Sequence, residues 1–144
     1  MKADIKILTP IFLLVFAAYF GIWNFGFVYD DVQLGNPHMQ SLTPFSKYLT
    51  EPGVYTGNDE NPRVWRPFGA FARVISWQLF GNHSGYHHSL NLLLHFMNLV
   101  LIFYFVKKIS GARWLGGAVA AVVGVHPILT EAVTWITSQS TLIW

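Results

Sequence analysis

The sequence contains no cysteine and little charge: of 144 residues none is Cys, and 11% are Asp, Glu, Lys or Arg, against about 25% in ordinary globular domains. The lack of cysteine excludes disulfides, thiolate metal sites and Cys-ligated clusters, and says nothing about compartment. The nine Lys and Arg are scattered through apolar sequence, so there is no nucleic-acid footprint and no nucleic-acid partner is expected. Tandem repeats and low-complexity tracts are absent as well. What remains is apolar. Hydrophobic residues make up 53% and aromatics 17%, with 6 Trp and 12 Phe, and the mean hydropathy is +0.39. Sixteen charged side chains do not cover that much apolar surface in a small soluble domain. The chain is therefore placed in a lipid bilayer as a single membrane domain, residues 1–144. A formal charge of +2 with six His adds only a weak preference for anionic partners.

The pattern predicts an all-α integral membrane protein with three transmembrane helices plus interfacial helices. Residues 5–28 form an apolar run broken only by Lys6, Thr9, Pro10 and Asn24; as a helix of ~36 Å it crosses a ~30 Å core with tilt. Residues 29–67 form a polar loop punctuated by Pro37, Pro44, Pro52, Pro62 and Pro67. Residues 68–80 set Phe71, Val74, Ile75 and Leu79 beside Arg73 and Gln78, too short to span and read as an interfacial helix. A second crossing is expected at 86–106, against Lys107 and Lys108. A third is expected at 114–129, with Pro127 kinking or ending it. Residues 132–144 read as an interfacial helix or the start of a fourth span. Lys2, Lys6, Lys107, Lys108 and Arg113 lie on one side in short segments, and six of the seven acids lie on the other. By the positive-inside rule the N-terminus is cytoplasmic, and the long loop and the C-terminus lie outside.

Within the second crossing stand His87, Asn91, His95 and Asn98. At helical spacing they fall at about 0°, 40°, 80° and 20°, one stripe about 80° wide. His95 comes out ~13 Å below the outer helix end, near the midplane. Polar side chains at that depth face protein or a water-filled cavity; they mark a functional site or act as hydrogen-bonding glue between helices. His87 and His95 are ~12 Å apart along the axis, too far to share one ion. His95 and His126 come out at similar depths, which admits a haem with two axial His ligands as a minor reading.

Outside the crossings, Tyr29-Asp30-Asp31 puts two carboxylates at the membrane edge, able to serve as a general base or hold a divalent cation, or simply to cap a helix boundary. Trp65-Arg66-Pro67, beside Arg63, offers a guanidinium to a phosphate at a helix start, or to ordinary lipid headgroups. In His126-Pro127-x-x-Thr130-Glu131, Thr130 reads as an N-cap with Glu131 in the first turn. Gly111, Gly116, Gly117, Ala118, Ala120, Ala121 and Gly124 form a small-residue face suited to close helix packing.

The ordered set Tyr29-Asp30-Asp31, Trp65-Arg66-Pro67, Gly85-Tyr86-His87 with Asn91-Leu92-Leu93-Leu94-His95 and Asn98, then His126-Pro127 with Thr130-Glu131, resembles the amino-terminal part of the polytopic GT-C glycosyltransferases. It is closest to the transmembrane, tetratricopeptide-repeat-containing O-mannosyltransferase group and its bacterial relatives. The resemblance implies a sugar donor carried on a polyprenyl or dolichyl phosphate in the bacterial inner membrane or the endoplasmic reticulum membrane. It makes Asp30 the candidate catalytic base, with Asp31 supporting it or a cation. Arg66 and His87 become candidates for the donor phosphate, and Asn91, His95, His126 and Glu131 would line or brace the cavity. Such enzymes have many more membrane helices than the three expected here. The competing expectations are therefore a non-catalytic structural subunit of a larger membrane complex, with other membrane subunits as partners, and the haem-bearing anchor.

Overall fold

A computed structural model describes residues 2–28, 31, 34, 45–50 and 67–143. Helix α1 spans Lys2–Ala18 and passes through a turn into a 3-10 stretch, Ile22–Asn24. Helix α2 covers Phe45–Thr50, α3 Pro67–Phe80, α4 Ser84–Ser110 and α5 Arg113–Gly124. A 3-10 turn, Pro127–Leu129, leads into α6, Thr130–Thr134. A second, Ile136–Ser138, leads into α7, Gln139–Ile143. Among the described residues, two segments are long and apolar enough to cross a membrane: Lys2–Asn24 and Ser84–Ser110. A third crossing exists if Arg113–Gly124 and Pro127–Thr134, bent by 56° at the break between them, count as one span.

The first apolar run departs from the sequence expectation, and the third follows one of the two outcomes that expectation allowed. The first apolar run is not one regular helix to residue 28. After Ala18 the backbone tightens: Phe20 N–H bonds to the Ala17 carbonyl and Ile22 N–H to that of Tyr19, the i to i−3 pattern that closes helix ends. The third stretch is broken rather than kinked. His126 is extended (φ −69°, ψ 129°), as the ring of the following proline demands, and Pro127 has no N–H to continue the ladder. His126 Nδ1 then accepts the Ile128 N–H at 3.2 Å, capping the turn that follows.

Glycine sets how closely the spans approach. Gly111, at φ +70°, ends α4 in the left-handed conformation, and its N–H bonds to the Lys107 carbonyl. That reversal lays α5 back along α4. On α5, a Cβ at Gly116 would sit 2.7 Å from the Phe103 carbonyl oxygen, and one at Gly124 would sit 2.7 Å from a Val15 methyl. A Cβ at Gly117 would sit 2.5 Å from a methyl of Ile7. Gly116, Gly117, Ala120 and Gly124 of the small-residue face are thus buried inside the chain, while Gly111 and Ala118 are exposed. At the same end of the bundle Lys107 Nζ donates to the largely buried Asp4 carboxylate at 2.8 Å. The pair joins the first turn of α1 to the last turn of α4, each charge at the helix end its sign favours.

Gly116→Ala tests this packing. The methyl meets a backbone oxygen that cannot rotate away, and the overpacking cost of about 1–3 kcal/mol exceeds the ~1 kcal/mol gain in helix propensity. Thermal unfolding followed by circular dichroism in micelles should show a lower midpoint; an unchanged or raised midpoint contradicts the close approach.

Candidate functional site

The polar residues of α4 converge on backbone that the neighbouring elements leave unpaired. His87, His88, Asn91 and His95 are all buried, with 1% exposure or less. His95 Nε2 donates to the Gly124 carbonyl at 3.0 Å, the last residue of α5, whose carbonyl has no helical partner beyond the break. The Asn91 amide donates to the carbonyls of Val133 and Trp135 at 3.2 and 3.1 Å, where α6 ends. Asn98 donates to the Leu142 carbonyl at 2.8 Å, near the end of α7. The stripe is therefore a ladder of donors facing the carbonyls that a broken span releases, the demand a bilayer imposes on irregular backbone.

His87 does a related task in the first turn of α4. Its Nε2 donates to the Gly81 carbonyl at 2.9 Å, and its Nδ1 lies 3.2 Å from the Ser76 hydroxyl. Its ring is boxed by Phe27, Trp77 and Phe80 at centroid distances of 5.6–6.1 Å. Both ring nitrogens are thus engaged, fastening the end of α3 to the start of α4 across the turn at Gly81 (φ +52°).

Asp31 is buried, 1% exposed. One carboxylate oxygen accepts the Thr137 N–H at 2.8 Å and the other the Val28 N–H at 3.2 Å. It ties the segment after α1 to a backbone 106 residues later. Two backbone amides thus hold the carboxylate in place. Among the described residues no group of three His, Asp or Glu could hold a metal ion. Tyr29, Asp30, Arg63, Trp65 and Arg66 lie outside the described residues. His126 and Glu131 are exposed, His126 as the cap of the Pro127–Leu129 turn and Glu131 in the first turn of α6. His95 and His126 thus each have one ring nitrogen committed to the backbone.

His88 is the buried site residue that the stripe argument passes over. Its Nε2 donates to the Phe25 carbonyl at 3.2 Å, which also accepts the Ser84 hydroxyl at 2.9 Å. Its angle of about 100° lies next to that of His95, so the same projection identifies it. Among the described residues, His88 Nδ1, Asn91 Oδ1, Trp135 Nε1 and Thr137 Oγ1 are buried polar atoms without a protein partner. They sit where α4 meets the chain from Val133 to Thr137, and give that contact an unsatisfied polar interior. Beside it, a cavity of about 430 Å³ opens between the end of α1 and the break, lined by Tyr19, Ile22, Phe25, Val125, Pro127 and Thr134.

The chain is similar to known O-mannosyltransferases. Protein O-mannosyl-transferase Tmtc2 of Drosophila melanogaster is 26% identical over 134 residues, covering 90% of this chain and 14% of the relative. Protein O-mannosyl-transferase TMTC1 of Homo sapiens is 30% identical over 125 residues, covering 79% and 14%. Protein O-mannosyl-transferase TMTC3 of Homo sapiens is 26% identical over 144 residues, covering 97% and 16%. The chain thus resembles the transmembrane O-mannosyltransferases over most of its length, and spans about one seventh of the length of these relatives. No protein-family profile matches it, and no solved structure does.

The ladder yields a direct prediction. Asn91→Leu keeps an apolar side chain in place but strands the Val133 and Trp135 carbonyls, at a cost of about 1–2 kcal/mol. Stability measured by denaturant titration in micelles should fall by that amount; unchanged stability contradicts the assignment.

Proposed function

We propose that this chain is the membrane segment of a glycosyltransferase that moves a sugar from a lipid-phosphate donor to an acceptor hydroxyl outside the cytoplasm. The observation that carries the reading is the similarity to O-mannosyl-transferases across 79–97% of the chain. In this reaction Asp30 takes the acceptor proton as the acceptor oxygen forms a bond to the sugar C1. The bond from C1 to the phosphate oxygen breaks, and the electron pair leaves on the lipid phosphate, which Arg66 meets with paired N–H donors. Asp31 holds the loop by its backbone contacts. His87, Asn91 and His95 enter as braces, their described hydrogen bonds already made within the chain. His126 and Glu131 lie on the exposed rim beside the break. The integral membrane setting follows from two or three candidate spans, with the acidic loop placed outside or in the lumen by the basic residues at the opposite ends.

A purely structural role is the second reading, favoured by one observation: each described member of the α4 stripe is spent on internal hydrogen bonds. The two readings part at Asp30→Asn. In a cell whose glycan transfer depends on this protein, the enzyme reading expects transfer to fall by about 10²-fold or more, the weight of a lost general base, with membrane levels unchanged. Full transfer in the variant favours the structural role.

Orientation is separately testable, because the chain has no cysteine to mask. Asn58→Cys should react with a membrane-impermeant maleimide on intact cells, and Ser110→Cys only after permeabilisation. The reverse pattern would overturn the assigned topology.

A further inference from the structure

We infer that the groove between Trp23 and Tyr86 binds an uncharged hexose ring. The groove has a volume of about 430 Å³ and lies where the Asn24 end of the first span meets the Ser84 start of the second. Its side chains are Trp23, Asn82, His83, Ser84, Tyr86 and Ser89, so among the described residues no Asp, Glu, Lys or Arg faces it. Two of its rings are accessible: Trp23 is 37% exposed and Tyr86 58%.

Both rings are held in place before any ligand arrives. The Trp23 indole N–H donates to Ser89 Oγ at 2.8 Å, and the Ser89 hydroxyl in turn donates to the Gly85 carbonyl at 2.8 Å. Phe16 packs against the indole, 5.4 Å between centroids. Tyr86 is set between Phe80 and His83 at 5.8 and 5.7 Å. A rigid aromatic wall costs little entropy on binding.

The lining selects the ligand by exclusion. A hexopyranose has an apolar C–H face, which packs on an aromatic ring, and a rim of hydroxyls that both donate and accept. Asn82 and His83 supply donors and acceptors for that rim. A quaternary ammonium also packs on aromatic faces, but it offers no hydrogen bonds, and would leave the amide and imidazole desolvated and unpaired. Among the described lining residues a free phosphate finds no cationic side chain other than His83. The inference extends the proposed function by naming what one groove takes. It rests on the lining rather than on the transfer chemistry, so a fully active Asp30→Asn variant would leave it standing.

The test is saturation-transfer NMR on the chain in phosphatidylglycerol nanodiscs, which carry neither sugar nor choline, with methyl α-D-mannopyranoside as probe and phosphocholine as rival. The glycoside should give a saturable signal that Trp23→Leu abolishes and Tyr86→Leu weakens about fivefold. Trp114→Leu, which removes a more exposed indole at the start of α5 (69% exposed), should leave the signal intact. Trp23→Phe keeps a ring while losing the Ser89 bond and should retain binding within a few-fold, so the test survives if Trp23→Leu does not fold. An undiminished signal in folded Trp23→Leu overturns the inference. So does a Trp23-dependent signal from phosphocholine in place of the glycoside.

Discussion

Inside a bilayer a backbone carbonyl without a donor is expensive, because no water is present to take its place. This chain breaks its third apolar stretch at His126-Pro127 and turns again before α7, so several carbonyls leave the helical ladder. The stripe on α4 answers them: His95 to Gly124, Asn91 to Val133 and Trp135, Asn98 to Leu142. Those contacts let irregular backbone lie against a 27-residue helix, and the bundle around the break depends on them. The glycines of α5 bring the pieces close enough for the bonds to form.

The same arrangement gathers what a membrane-edge reaction needs. The unwound end of α1, the first turns of α4 and the elements after the break all meet at one end of the bundle. Asp31 stitches the first to the last through Thr137, and Phe25 is stitched to Ser84 and His88. Asp31 and Phe25 are therefore both anchored at this end of the bundle. A cavity opens beside the irregular backbone of the break.

Much of this is legible in the residues. Spacings of 4, 4 and 3 put the stripe on one face, and carbonyl glue was one of the two uses that depth allows. Pro127 announces the break, and Gly111 the reversal. The partners are not legible, since Thr137 lies 106 residues from Asp31 and no local pattern connects them. The small-residue face reads equally well as a surface for other subunits or for the chain itself; only the contacts with Ile7, Val15 and Phe103 decide it. The early end of α1 is similarly hidden, because the apolar run continues past the last helical hydrogen bond.

The stripe's role is tested most directly at one carbonyl. A single carbon-13 label at the Gly124 carbonyl, placed by semisynthesis, gives a resolved infrared band whose frequency falls when the oxygen is hydrogen-bonded. The account predicts a low-frequency band in the native chain that moves to higher frequency in His95→Leu, with no matching shift in Asn98→Leu. A band unmoved by loss of His95 would contradict it.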